Sequence, residues 1–483
     1  MNKKRKLECE GMEKLGASIG FQLIKIFNII DDTTLSEQEK REKISEFQKG
    51  IQEIGTGIQI PKSERKGQNE KNGFYVFGDV DELSYEDLLK TKDYVDRYLS
   101  SFTCEGEMKM KTILRGFDKS TSSIIYNFEF ADLVYNYAQS QGKDVRGHTL
   151  VWHTHFPSAI DQYIEDKLGM TMNEYEKQYS TEEFIARRKE ITEQFLGEYI
   201  KTMGEHYPKC YCWDVLNEIV PRMEIPVGSN DEHCPTPAER ADGVRHSKWY
   251  EHLGENYFLD VLKIARENLP EGTKLFYNEF GEQHPEKRKA IIEIIKKIKL
   301  YERDHQDELG IDSDGNQKTL LDGWGLQSHY NQQMTAEDIE NIYSDISELQ
   351  DWLKENNCKP LEIQVTEIDI TPGRDEEGNP LPINPDKYAE LWEKTFECAE
   401  KYGISAYTGW GVSDSLSWFR NIKCTMIDKH GNIKDFARPF IDRVSVKETT
   451  KKAIIDKTAT EDVEKWDNIK SREKETEDPE PKF

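Results

Sequence analysis

The sequence predicts a (β/α)8 barrel, the TIM-barrel form of the α/β class, with a long insertion after the first strand and a charged C-terminal tail. Three observations predict it. Short apolar runs alternate with longer amphipathic runs from about residue 80 to 440, the pattern of parallel strands joined by helical crossovers. About 400 residues in one unbroken series favours closure into a barrel over a doubly wound sheet. Several apolar runs also end on carboxylates, histidines, amides or tryptophans, as strands do on the active-site face of a barrel.

The strands follow in order. LGASIG (15–20) opens the chain and FTCE (102–105) is the second. VRGHTLVW (145–152) and CYCWDVLN (210–217) are the third and fourth. From Cys210 to Leu216 only Asp214 is polar, which suits a strand buried on both faces. KLFYN (274–278), GWGLQSH (323–329), LEIQVTEIDI (361–370) and ISAYTGWGV (404–412) complete the eight.

Helices are legible between them. Ser180 and Glu183 form a capping box before Phe184, Ile191, Phe195, Tyr199 and Met203. Pro285 suits the first turn of the helix carrying IIEIIKKIKL. Ile339, Ile342, Ile346, Leu349 and Leu353 keep helical spacing, and Asn384-Pro385 reads as an N-cap with Pro at N1. Trp249 and Trp392 lie on helical stripes and read as core. Three segments fall outside the scheme. Residues 31–80 are polar and Gly-rich, 225–243 form a long loop after Glu218, and 447–483 read as a disordered tail or loose helix. The domain reading is therefore one barrel over 1–446 plus the tail.

The chain has 483 residues, 36% of them hydrophobic, and a net charge of −26. That charge argues against nucleic acid or an anionic membrane surface as partner. The basic cluster near the N-terminus precedes no apolar run, and Lys25 interrupts Phe21–Ile30. No secretory signal or membrane span is expected, and a cytoplasmic location follows unless a signal was removed. The eight cysteines fit no zinc spacing, since Cys210-x-Cys212 is not CxxC. His153 and His155 are two residues apart without a matching ligand cluster, so no metal is expected.

Chemistry concentrates at the strand ends. Strand three brings His148, Trp152 and His153. Strand four ends at Asn217-Glu218, strand six at Gln327 and His329, and strand seven at Glu367 with Asp369 next. Strand eight carries Trp410, with Trp418 shortly after. A carboxylate at the end of an apolar strand must be paired or put to use. Any one of these residues alone reads as structural. Together, two carboxylates beside aromatic platforms are what glycoside hydrolysis needs.

GHTLVWH (147–153), WDVLNE (213–218), GLQSHY (325–330), VTEIDI (365–370) and GWGVSDSLSWF (409–419), in that order, resemble the family 10 glycoside hydrolases, the endo-1,4-β-xylanases. RHSKWYEHLGENYF (245–258) and EGEMK (105–109) add to the resemblance, which covers roughly residues 12–445. It implies a retaining mechanism on xylan or xylo-oligosaccharides, with Glu218 as acid/base and Glu367 as nucleophile and no cofactor. Glu218 would hold its proton near neutrality while Glu367 stays ionised. It also implies that His329 bonds Glu367, that Gln327 positions the nucleophile's surroundings, and that Asn217 reaches the 2-hydroxyl of the sugar. His148, Trp152, Trp410 and Trp418 would line the non-reducing side, with Glu105 and Lys109 one sugar further out.

Some positions depart from the family pattern. Gly106 stands where the family has Asn, and His155 and Ala159 stand near its Gln and Trp. Phe280 and Gly281 replace a hydroxyl and an amide. These departures motivate an alternative, a barrel glycosidase for another β-glycoside such as a cellobioside or aryl glycoside. A further alternative is a non-catalytic carbohydrate-binding protein.

Overall fold

The computed structural model describes residues 14–57, 80, 83–375, 377, 379–419 and 423–444. The expected tail at 447–483 and residues 58–79 of the insertion lie outside these. The eight expected strands all form: β1 (Lys14–Ile19), β2 (Ser101–Cys104), β3 (Asp144–Trp152), β4 (Cys210–Asn217), β5 (Lys274–Glu279), β6 (Gly323–Leu326), β7 (Glu362–Thr371) and β8 (Ala406–Gly409). Each pairs in parallel with the next, and β8 pairs with both β7 and β1. Lys14 lies opposite Ala406 and Ala17 opposite Gly409, so the ring closes without a free edge. This is a (β/α)8 TIM barrel.

The helices start where their caps predict. Ser180 accepts the N–H of Glu183 and heads the 26-residue helix Thr181–His206. Pro385–Lys401 begins after Asn384, whose side chain accepts the N–H of Lys387. Trp249 and Trp392 are buried core residues.

Three features depart from the expected outline. Part of the polar insertion is the helix Glu37–Gly57. Its run of Glu, Lys, Gln and Arg favours helix, while Ile44 is buried and Gln48 donates to the carbonyls of Val80 and Leu83. A hairpin, Leu114–Asp118 with Ser123–Tyr126, follows β2. The sixth run is broken: after β6 the chain kinks at Ser328, whose φ is +58°, and His329–Asn331 rejoins β7 opposite Asp369–Thr371.

The barrel interior is polar at one level. Arg146 is 1% exposed. It donates through Nε to Asp214 Oδ2 at 3.0 Å, through Nη2 to Asp214 Oδ1, and through Nη1 to Gln364 Oε1 at 2.6 Å. Its guanidinium also lies over the Phe276 ring, 4.5 Å from the centroid. Burying such a pair is tolerable only when both ions are fully bonded. Burial alone would raise the Asp214 carboxyl, but the Arg146 charge and the bond with His148 hold it below its ordinary range. The next residue, Gly147, has to be small: a Cβ there would meet the Trp213 indole at 2.1 Å.

Candidate active site

Two consecutive residues, Asn217 and Glu218, both serve the mouth of the barrel. Strand alternation would send them to opposite faces. The chain avoids this by placing Glu218 in the left-handed region, with φ +57°. For a residue with a side chain that costs on the order of 1–3 kcal/mol, and the surroundings must enforce it. The Glu218 N–H donates to the Asn278 carbonyl at 3.0 Å. Arg245 Nε donates to the Glu218 carbonyl at 3.2 Å.

Glu367 lies on β7 and is 5% exposed. Its Oε1 accepts Asn278 Nδ2 at 2.7 Å, and its Oε2 lies 3.3 Å from His329 Nε2. The same Asn278 amide donates to Asn217 Oδ1 at 2.9 Å, while its carbonyl accepts Thr366 Oγ1 at 2.6 Å. Asn278 thus fixes both the carboxylate and the neighbouring amide. The Asn217 Nδ2 is buried with no hydrogen-bond partner among the described residues.

His329 also faces Asp369, with Nδ1 3.1 Å from Oδ2. Trp418 Nε1 donates to the same carboxylate oxygen at 2.7 Å. Burial pulls the His329 imidazole down, but Asp369 and Glu367 outweigh it and raise it well above the ordinary histidine value. The imidazole lies between two carboxyl groups that favour its charged form.

Glu218 occupies a different environment. Its Oε1 accepts Gln327 Nε2 at 3.2 Å, and its Oε2 lies 3.8 Å from His153 Nδ1. Gln327 therefore bonds the strand-end carboxylate, not the surroundings of Glu367 as the resemblance implied. Burial pushes Glu218 up. The His153 charge, present only in acid where that imidazole is protonated, the Gln327 hydrogen bond and the Arg245 charge together bring it below the ordinary carboxylate value. His153 itself is lowered to about 4, by burial first and then by the Arg245 charge. At neutral pH the contact is thus between a carboxylate and an uncharged imidazole.

The floor beside these carboxylates contains the other expected residues. His148 Nδ1 lies 3.0 Å from Asp214 Oδ2, so the buried ion pair of the barrel orients it. Its ring meets Trp410 edge to face at 5.5 Å. The Lys109 ammonium lies 4.7 Å from the Trp152 ring centroid and 5.7 Å from that of Trp410. His155 stacks on Trp152 at 4.8 Å. Glu105 Oε1 accepts Ser18 Oγ at 3.4 Å, and burial with the adjacent Glu107 charge raises its carboxyl well above the ordinary value. Glu107 in turn accepts the N–H of Phe21 at 2.8 Å.

All eleven residues singled out from the sequence therefore come to one end of the barrel. Asn278, Asp214 and Arg146 were not among them, and His153 and Asp369 were noted only by position. Asn278 had a signal, an amide ending an apolar strand as Asn217 does. Arg146 and Asp214 had only their polarity within buried strands. Among the described residues no group of three or more His, Cys, Asp or Glu side chains could hold a metal ion. No described helix is long and apolar enough to cross a membrane.

Residues 66–441 match the family model described as glycosyl hydrolase family 10. The chain is 30% identical over 341 residues to endo-1,4-beta-xylanase A of Thermotoga maritima, an alignment covering 68% of this chain and 26% of that protein. It is 27% identical over 379 residues to a beta-1,4-xylanase of Dictyoglomus thermophilum, covering 76% and 85% respectively. A solved mutant structure in complex with xylotriose superposes with TM-score 0.53 at 26% identity, over 73% of this chain and 94% of that one. The chain spans about a quarter of the length of the two Thermotoga xylanases it matches and about two fifths of a Caldicellulosiruptor one.

Proposed function

The chain belongs to glycosyl hydrolase family 10, and from that premise we propose that it is an endo-acting, retaining hydrolase of β-1,4-xylosidic bonds in xylan or xylo-oligosaccharides. The observation that carries this reading is the unequal treatment of two carboxylates at one mouth. Glu367 is gripped by Asn278 and by the His329 imidazolium, which suits an ionised nucleophile. Glu218 is bonded only by side chains that leave it open to a leaving group.

The chemistry follows from that division. Glu367 attacks the anomeric carbon as the glycosidic bond breaks, and Glu218 delivers a proton to the departing oxygen. The glycosyl-enzyme ester forms with inversion. Water then attacks the same carbon with a second inversion, gives its proton to Glu218, and releases Glu367. Asn217 offers its unpaired Nδ2–H to the 2-hydroxyl of the sugar being cut. Trp410 and Trp418 supply the apolar faces on which pyranose rings stack.

Time-resolved NMR of xylohexaose hydrolysis tests the stereochemistry. Newly formed reducing ends should appear first as the β-anomer and mutarotate later. α-Anomer first, or no cleavage, would refute the assignment.

The pH dependence also has a predicted sign. A general acid works only while protonated, and the ligand-free chain holds Glu218 below the ordinary carboxylate value. For xylo-oligosaccharides, kcat/KM, which reports the free enzyme, should fall as pH rises through the acid range. An aryl xylobioside with a very acidic phenol needs no proton and should lack that limb. Identical profiles for the two substrates would show that Glu218 is not the acid.

A further inference from the structure

We propose that Glu282 is a positioning residue for both catalytic carboxylates: it fixes the kink at Ser328 that presents Gln327 to Glu218 and His329 to Glu367. This rests on the hydrolase reading and adds to it a residue that is fully buried.

The kink comes first. Gln327 and His329 flank Ser328 and serve different carboxylates. Gln327 Nε2 donates to Glu218 Oε1 at 3.2 Å, and His329 Nε2 lies 3.3 Å from Glu367 Oε2. In an unbroken strand, residues two apart project from one face in the same direction. Here β6 stops at Leu326, Ser328 takes a φ of +58°, and His329–Asn331 pairs with β7. The turn at Ser328 therefore aims both side chains. A residue with a side chain keeps a positive φ only where its surroundings enforce it.

Glu282 supplies that enforcement from a place just beyond β5. Ser328 Oγ donates to its Oε1 at 3.0 Å, nearer than the Leu326 carbonyl at 3.5 Å. Tyr330 OH donates to the same oxygen at 3.1 Å. One carboxylate oxygen thus ties the residues on both sides of His329. The Glu282 backbone is anchored in turn. Arg288 Nη1 donates to its carbonyl at 2.6 Å, and Arg288 Nε donates to Asp345 Oδ2 at 2.6 Å on the helix Ala336–Glu355. Glu282 Oε2 is buried with no hydrogen-bond partner among the described residues. A carboxylate held this way is a costly means of filling a core. What an apolar side chain could not do in its place is grip the two hydroxyls around His329.

The test uses the full chain, xylotetraose and a dinitrophenyl β-xylobioside, whose leaving group needs no acid. Rates are taken per folded molecule, with folding followed by circular dichroism. In Glu282→Leu and in Ser328→Ala, kcat for xylotetraose should fall about tenfold with KM within about twofold, the pattern of lost alignment at unchanged binding. The aryl substrate should lose kcat/KM by a similar factor, because Glu367 is misaligned as well. The pH at which kcat/KM for xylotetraose falls should move upward, since Glu218 loses a hydrogen bond that favours its ionised form. Glu282→Gln keeps an oxygen for the two hydroxyls and should recover most of the rate. A lower Tm with wild-type kcat and pH profile would make Glu282 a residue of the fold alone and overturn the inference. A loss confined to xylotetraose would also overturn it, because the nucleophile would then be undisturbed. Should Glu282→Leu fail to fold, Ser328→Ala decides by the same readings. Wild-type protein that cleaves neither substrate would instead overturn the hydrolase reading.

Discussion

Glu367→Gln should lower turnover of xylo-oligosaccharides by at least about 10⁴-fold, the scale on which removing an essential nucleophile is felt, while leaving oligosaccharide binding nearly intact. The substitution keeps shape and volume and changes only the ability to attack the anomeric carbon. Asn278 still finds a carbonyl oxygen to donate to, so the arrangement around Asn217 survives. One of the two carboxylates that keep His329 protonated is lost, and Asp369 remains on its other nitrogen. Steady-state rates with isothermal titration of xylotriose separate the two effects. A variant that binds and still turns over within tenfold of wild type would remove Glu367 from the mechanism.

The second large effect is expected from Glu218→Ala, and it should depend on the leaving group. The sugar released from xylotetraose leaves as an alkoxide unless its oxygen is protonated, so hydrolysis of xylotetraose should fall at least about 10³-fold, within the range assigned to general acid catalysis. A dinitrophenyl xylobioside needs no acid for the first step, and its initial burst of phenol should survive. Its second step lacks the base, so the glycosyl-enzyme should accumulate, and added azide should speed turnover and give a β-xylobiosyl azide. Equal losses on both substrates, with no azide effect, would mean that Glu218 supports the fold or binding and does not transfer the proton.

Most of the barrel was legible because its signals are local. Apolar runs, capping boxes and proline positions all lie within one element, and each marked its strand or helix to within a few residues. The break after β6 was not legible. Leu326, Gln327 and His329 keep the strand pattern, and only tertiary contacts drive Ser328 into a left-handed conformation. The helix Glu37–Gly57 was missed because polar composition hides helical propensity when only one narrow stripe is buried.

The site divides in the same way. Residue types at strand ends gave away Glu218, Glu367, His329 and the tryptophans. What the strand ends could not show was which partner each side chain takes. Gln327 turned out to bond Glu218, and Asn278 turned out to join Asn217 to Glu367. The partners of the Glu218 carboxyl were not legible from the strand end. Its environment includes His153, Gln327 and Arg245, brought in from three other parts of the chain.

The closing pair of strands carries a consequence for how the protein comes into being. β1 and β8 stand side by side, and the Gly411 N–H donates to Ser18 Oγ at 2.6 Å across 393 residues of sequence. Ser18 also bonds Glu105, and Gly411 follows Trp410 directly, so this seam runs beneath the Trp410 indole. A nascent chain can assemble successive strand–helix units as they leave the ribosome, but the seam waits for the last of them. Loop closure over such a separation is slow, and the unsealed sheet exposes two strand edges to other chains. The mouth of the barrel should therefore not be complete before β8 has been made, and chaperone dependence should be highest while the seam is open.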